Sequence, residues 1–563
     1  MVLDQNLKIQ LQKLFKEKKY SEVIFLILNE TKEEERSAGL LNLLGVSRLM
    51  GNKKEPEILR LAIKDFKIAF FKEKNTSNGL IALGNLISTS CLLYDLKNEE
   101  INFEEIISFF KESESLCENL REIHFGMIKI YRRLSDVKNI LFHLDKIIKS
   151  KNFTVKELCA YAYRQCFSTN WHQNDFLKYG EFLDDNLTKY PENKLYKLTN
   201  FKTGKIRLGF LSADITTGHS ITYFLKTVLQ NYNKEEFEIY LILNQKKEDQ
   251  TTEYFKSLVD NSINIINDEN IKAINIVRKL DLDILIDLMG FTSSNRIELL
   301  KNRVSYKQIL WLGYCNTTGI KNMDYIISDP NLIFKNEKNL YSEKIIYLPN
   351  IWNCHSGFDI KREQNKTPFI SNNFITFGSF NNLDKVSDEV IEVWSKILKR
   401  IKNSKLILKS SLKKNYERHS KLFIKNGVYD SVIFNERDDD FNNHINLYKQ
   451  IDVALDTFPY NGVTTSFEAI WMGVPVLTMK GYNFNSRCGE SINKNIKMES
   501  MIADNKQDYI DKAVELYENP ETLIKIREKI FHDAASSPLF NSSNFTHDFF
   551  NSLEHVYNSK INE

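Results

Sequence analysis

Groups that bind anions concentrate in residues 452–481, DVALDTFPYNGVTTSFEAIWMGVPVLTMKG. An apolar strand ends at Asp456, a turn carries Pro459, Asn461 and Gly462, and Thr464 and Thr465 stand where a helix begins. A helix start offers unpaired backbone N–H groups and the positive end of the helix dipole, and flanking hydroxyls add donors. That chemistry holds an anion, most naturally a phosphate. Taken alone, Thr464 reads as a simple helix cap, which is far commoner than a phosphate site. A second anion contact stands in FGSFNNLDKVSDEV, where a strand feeds Asn381, Asn382 and Lys385 before a helix near Ser387. The Lys385 ammonium can neutralise a diphosphate as a point charge from the same strand-end edge as the threonines. A solvated surface lysine is the other reading.

Two histidines differ in setting. In SADITTGHSITYFL, His219 follows a strand and precedes a helix, where a loop side chain meets substrate and can donate or accept a proton. His444 falls in a helix predicted over 441–450, behind Asp438, Asp439 and Asp440 as the expected cap, and by itself reads as a histidine packed on a sheet. Asp281 and Asp283 have the spacing of metal-dependent transferases but sit at a helix-to-strand connection. The remaining histidines lack close partners at ligand spacing, so no required metal or other cofactor is expected.

The elements that must position these groups change character near residue 200. Up to about 198, apolar residues recur at three and four, as in helices. Leu44-Gly45 and Leu83-Gly84 open comparable stripes thirty-nine residues apart, with Ala62 and Ala69 between. Tetratricopeptide-like hairpins and an irregular bundle both fit this pattern. After Lys205, short apolar runs alternate with amphipathic stretches: strands are predicted at 206–211, 237–243, 284–288, 308–312, 325–327 and 345–348. A second series follows a polar stretch at 361–373, with strands at 374–377, 406–408, 432–434, 453–455 and 476–479. Two doubly wound α/β lobes are expected, with ligands at the carboxyl ends of their strands. The expected domains are a helical region 1–200, an N-terminal lobe 201–370, a C-terminal lobe 371–540 and a closing helix 541–563.

Composition excludes more than it assigns. The 563 residues carry 77 Lys+Arg against 74 Asp+Glu, so no global charge marks a nucleic-acid or membrane-surface binder. Hydrophobic content of 42%, with 9 Pro and 20 Gly, describes a globular chain. Seven cysteines without a C-x-x-C spacing argue against a disulfide framework. The first twenty residues lack a signal-peptide core, and the early apolar run at 23–28 falls short of the ~20 residues of a membrane span. A cytoplasmic setting is expected, with no membrane and no nucleic acid as partner.

In order, SADITTGHSITYFL, DILIDLMGFTSSNR, QILWLGYCNTTGIKNMDYIISD, YSEKIIYLPN, FITFGSFNNLDKVS, DVALDTFPYNGVTTSFEAIWMGVPVLTM and SSPLFN resemble the catalytic region of the protein O-GlcNAc transferase family, which includes SPINDLY-type O-fucosyltransferases. The resemblance spans residues 205–540. It implies a GT-B fold of two Rossmann-like lobes, inverting metal-independent transfer, nucleotide binding mainly by the C-terminal lobe, and tetratricopeptide-like helices ahead of it. Carried over by motif, Lys385 looks like the lysine on the donor diphosphate, with Asn382 at the neighbouring amide position. Thr464 and Thr465 match the diphosphate-binding hydroxyls beside Gly462, and Glu468 the acidic residue on the ribose. His444 matches the histidine packed on the base, Leu312 and Gly313 the sugar and acceptor loop, and His219 the active-site histidine of the N-terminal lobe.

The sequence departs from the family pattern at several points. The turn before His219 is one residue longer, which is expected to shift its imidazole. Cys315-Asn316 replaces Pro-Gly, which is expected to loosen the acceptor loop. Val463 replaces the histidine of animal enzymes, and Phe441 replaces a ribose-contacting lysine. UDP-GlcNAc is the implied donor, with Ser486-Arg487 favouring it, and Ser/Thr of proteins docked by the N-terminal helices the acceptor. GDP-fucose and UDP-glucose remain as alternative donors, and a partner-binding scaffold with a decayed transferase body as the non-enzyme alternative.

Overall fold

The computed structural model describes residues 5–51, 55–97, 101–190, 204–358, 360, 362–364, 366–410, 416–436 and 440–559. The chain divides into two compact units, Met1–Thr154 and Val155–Glu563.

The first unit is helical. Helices Ala38–Gly51 and Pro56–Lys72 pack where Gly45 faces Phe66, so closely that a Cβ on Gly45 would lie 2.6 Å from the Phe66 ring. Ala62, Ala69, Leu44 and Leu83 are fully buried, as their small-residue and apolar spacing predicts. Asn85 on helix Ser77–Lys97 donates to Asn42 at 2.8 Å. The pair Arg121–Arg133 and Val137–Lys149 follows, its second helix capped by Asp136, which accepts from the Asn139 amide. Sequential pairing of this kind is the pattern of tetratricopeptide-like hairpins. Ser77–Leu96 is long and apolar enough to cross a membrane, with a mean hydropathy of 1.4, but 61% of that window is buried within the protein.

The second unit holds two parallel sheets. The first comprises β1 (Ile206–Ser212), β2 (Phe237–Leu243), β3 (Asn261–Asn264), β4 (Ile284–Asp287), β5 (Lys307–Leu310), β6 (Tyr325–Ser328) and β7 (Lys344–Tyr347) in the order β3-β2-β1-β4-β5-β6-β7. The other comprises β8 (Thr376–Ser379), β9 (Lys405–Ser410), β10 (Val432–Glu436), β11 (Val453–Leu455), β12 (Val476–Met479) and β13 (Ile502–Ala503) in the order β10-β9-β8-β11-β12-β13. Every pairing is parallel. Strands such as β4, buried at every residue, need helices on both faces, which the crossovers supply. Strand order reverses between β1 and β4 and between β8 and β11, the two places where such sheets open a crevice. The last helix, Ser542–Asn558, returns to the first sheet, where Phe549 meets Trp311 at 4.7 Å and Phe550 meets Phe237 at 4.6 Å.

Several expectations change. The division expected at residue 200 lies at 154/155, because helices Val155–Gln165 and Gln173–Asp185 pack into the second unit. Gly180 and Gly319 meet backbone to backbone, a Cβ on Gly180 lying 2.3 Å from the Thr318 carbonyl oxygen. Helical periodicity reports a buried face without saying what buries it. β3 escaped prediction because NSIN is polar and mostly exposed, and β13 because it is two residues long. The strand predicted at 308–312 ends at Leu310, and Leu312 turns out of it with φ +82°. The strand predicted at 374–377 runs as Thr376–Ser379, and the helix predicted over 441–450 is Phe441–Asn446 followed by a 3-10 turn Leu447–Gln450. Asp440 caps it, accepting from the Asn442 amide at 2.7 Å, while Asp438 and Asp439 lie outside the described residues.

Candidate active site

The carboxyl ends of β1, β4, β5, β8 and β11 feed loops that line one cleft of about 390 Å³. Asp214, His219, Thr292, Leu312, Gly313 and Cys315 come from the first lobe, and Asn381, Asn382, Lys385, Val463, Thr464 and Thr465 from the second.

On the second lobe, β8 runs into a turn Leu383–Lys385 capped by Asn382, whose side-chain oxygen accepts from the Asp384 amide at 3.0 Å. Lys385 Nζ donates to the Asn461 carbonyl at 2.7 Å and lies 4.2 Å from the Tyr460 ring centroid. Burial lowers the Lys385 pKa below its ordinary value, opposed by the Asp456 carboxylate. Asp456, 2% exposed, gathers the Thr457 and Gly462 amides and the Thr478 hydroxyl, and so shapes the Pro459–Gly462 turn. Its own pKa is raised by burial to about 6.

Helix Thr464–Trp471 starts after Val463, which makes no side-chain cap. Thr464 is the first residue of the helix rather than its cap, and it lines the cleft at the positive end of the dipole. The Thr465 hydroxyl donates to Asn381 at 2.9 Å. Gly462 is required beneath this pair, since a Cβ there would stand 2.6 Å from Thr465 Oγ1 and 2.7 Å from Asn381 Oδ1.

On the first lobe, His219 caps helix Ser220–Gln230 through Nδ1, which accepts from the Ile221 amide at 3.5 Å. Its Nε2 lies 3.7 Å from Asp214 Oδ1. Burial raises the Asp214 pKa above the ordinary carboxylate range, with His219 opposing. The longer turn has not removed the imidazole from the cleft.

Comparison with known proteins adds to this geometry. The model of glycosyl transferase family 41 matches residues 181–360 and 360–549. The chain belongs to glycosyl transferase family 41.

Two relatives of this family 41 chain are probable UDP-N-acetylglucosamine–peptide N-acetylglucosaminyltransferases named SPINDLY. That of Solanum lycopersicum is 29% identical over 384 residues, covering 66% of this chain and 40% of the relative. That of Arabidopsis thaliana is 30% identical over 354 residues, covering 60% and 38%. The chain thus spans about 40% of the length of the curated relatives it matches. An O-GlcNAc transferase mutant of Thermobaculum terrenum has the same fold, with TM-score 0.72, 20% identity and coverage of 93% of this chain and 95% of that one.

Within the family 41 cleft the structure gathers His219, Leu312, Gly313, Asn382, Lys385, Thr464 and Thr465. His444 and Glu468 stand apart from its lining and bond each other, Nε2 to Oε2 at 3.0 Å. Tyr448 ties Glu468 to the threonine turn, its hydroxyl donating to Glu468 Oε2 at 2.8 Å and lying 3.1 Å from the Thr465 carbonyl oxygen. Phe441, in the place of a family lysine, stacks on Phe358 at 5.7 Å and approaches Tyr223 of the first lobe at 6.3 Å.

One reading of the departures is corrected. The Cys315-Asn316 loop is tightly held: Asn316, fully buried, accepts from Gln173 at 2.9 Å and donates to Asn485 at 3.2 Å, and Glu343 takes the hydroxyls of Thr317 and Thr318. These hydrogen bonds supply the rigidity that a proline would. Ser486 and Arg487, whose resemblance favours a UDP-GlcNAc donor, lie outside the lining of the cleft. Ser486 bonds within its own helix start, and Arg487 pairs with Glu337 at 2.6 and 2.9 Å.

Sequence reasoning missed Tyr163, Arg164 and Lys409. Tyr163 lines the cleft, Arg164 pairs with Asp384 beside Lys385, and Lys409 bonds His444. The first two stand in an ordinary helical pattern, and the third ends an ordinary strand. Asp214 and Tyr460 stood inside quoted motifs and could have been read as strand-end residues.

Proposed function

We propose that the chain is an inverting, metal-independent protein O-glycosyltransferase that moves GlcNAc from UDP-GlcNAc to Ser or Thr hydroxyls of acceptor proteins. The observation that carries this reading is the two-sided cleft, with a cation and a helix start on one lobe and a histidine–carboxylate pair on the other. The names of the SPINDLY relatives, which specify a UDP-N-acetylglucosamine donor and a peptide acceptor, support the donor and acceptor class.

In this reading Lys385, the Thr464 and Thr465 hydroxyls and the first amides of their helix hold the diphosphate, with Asn382 beside them. Glu468 takes the ribose and His444 the base. Leu312 and Gly313 border the sugar and the acceptor. The acceptor oxygen forms a bond to the anomeric carbon on the face opposite the diphosphate. The bond from that carbon to the phosphate oxygen breaks, and its electron pair leaves on the nucleoside diphosphate. Lys385, partly desolvated beforehand, stabilises that charge without reorganising. The hydroxyl proton passes to the first-lobe side, where Asp214 and His219 stand. Burial of Asp214 makes its carboxylate a stronger base than a solvated one. The helical first unit serves as the docking surface for acceptor proteins.

The test is thermal stabilisation of the chain by UDP and by GDP, each in the presence of a chelator. A ligand at 100 times its Kd stabilises by about 2.7 kcal/mol. A shift with UDP alone is expected, a shift with GDP alone would move the donor to a guanosine sugar, and no shift with either would sink the transferase reading.

A further inference from the structure

We infer that Lys409 is a positioning residue of the donor site, the cation that fixes the ring and tautomer of His444. The inference rests on the reading of this site as a nucleotide-sugar site. Lys409 lies near the carboxyl end of β9, opposite Asn435 of β10, and is 8% exposed. Its Nζ lies 2.6 Å from His444 Nδ1. An ammonium can only donate, so Nδ1 carries a lone pair and the imidazole proton resides on Nε2. From there it donates to Glu468 Oε2 at 3.0 Å. Glu468, 5% exposed, accepts a second bond from the Tyr448 hydroxyl.

A buried lysine and a buried glutamate are thereby joined through one ring. The ring itself is held at both nitrogens. Phe380, Phe441 and Tyr448 surround it in edge contacts with centroids at 6.4, 6.2 and 5.8 Å. His444 retains 18% side-chain exposure, enough to meet a ligand. A flat ring already fixed in plane and tautomer binds a planar base without losing side-chain freedom on binding.

The variants are Lys409→Met, which keeps the stem and removes the charge, and Lys409→Arg, which keeps a donor. In full-length protein labelled with ¹⁵N-histidine, with His444 assigned by its loss in His444→Gln, the wild type shows the Nε2–H tautomer. Lys409→Met is expected to give a mixed or Nδ1–H signal, to raise the donor KM about three- to ten-fold, and to leave kcat within about two-fold. Lys409→Arg is expected to restore the tautomer and most of the affinity. An unchanged tautomer and KM in Lys409→Met, or a loss confined to kcat that Lys409→Arg does not recover, overturns the proposal. If Lys409→Met does not fold, the wild-type signal and Lys409→Arg decide it: an Nδ1–H wild type, or an arginine variant with raised donor KM, overturns it. A wild type that binds neither UDP nor GDP removes the donor reading and the inference with it, and the tautomer signal then shows whether the Lys409–His444 contact survives on its own.

Discussion

Lys385 holds its ammonium 4.2 Å from the centroid of the Tyr460 ring, and Phe167 meets the edge of that ring at 4.9 Å. The cation is therefore aimed by an aromatic face that a helical segment ahead of the lobes buttresses. Lys385→Ala is expected to fold and to lose about 10²–10³ in kcat/KM, the usual cost of one pre-aimed stabiliser. Tyr460→Leu is expected to lose less, because the charge remains and only its aim is lost. Steady-state kinetics on both, with near-wild-type turnover by Lys385→Ala as the contrary result, decides this.

Arg164 pairs with Asp384, the residue before Lys385, and both side chains are only 14% exposed. Removing one partner strands the other charge in a site with little water. Arg164→Ala and Asp384→Ala are each expected to destabilise the chain by up to about 3 kcal/mol, with the double variant costing less than their sum. Denaturant unfolding of the full cycle measures the coupling, and simple additivity would show that the pair is incidental.

Gly462→Ala places a methyl group among the hydrogen-bonded ends of Thr465 and Asn381. It is expected to raise the donor KM several-fold with a small change in melting temperature. Gly84→Ala serves as the control, since its Cβ would meet Ile123 at an ordinary 3.8 Å. Equal effects of the two substitutions would refute a role for Gly462 in shaping the donor turn.

His124 and His143 share one hydrogen bond between their Nδ1 atoms at 2.8 Å, both 1% exposed. His124 Nε2 faces the Glu118 carbonyl at 3.2 Å, so it holds the proton there, and His143 donates to His124. Burial lowers both pKa values, that of His143 to about 3. The unfolded chain therefore binds more protons below its ordinary histidine pKa of about 6.5. Stability is full above that pH and falls as pH drops from there toward the folded value. At pH 5.5, His143 alone is expected to cost on the order of 1 kcal/mol. The double variant His124→Leu/His143→Leu is expected to remove this part of the acid sensitivity, as compared by denaturation at pH 8 and 5.5.

Much of this protein was legible along the chain. Apolar runs of three to seven residues separated by amphipathic stretches located eleven of the thirteen strands among the described residues and implied their parallel pairing, because a strand covered on both faces needs an uninterrupted apolar run. Residue type and position at strand ends also located Lys385, Thr464, Thr465 and His219, since a parallel sheet delivers its strand ends to one edge.

What the chain did not disclose is which partners those residues meet. Lys409, Arg164 and Tyr163 stand in unremarkable patterns, and their roles arise from residues 35, 220 and more positions away. The helices at 155–185 carried the same periodicity as those before them, yet they pack on the lobes through Gly180 and Arg164. Ser486 stands in a helix start, and Arg487 in an ion pair with Glu337, a partner that lies far along the chain. Local sequence sets the backbone and the buried face. Which side chains converge across a cleft depends on distances between elements far apart in the chain, and only the tertiary structure decides those.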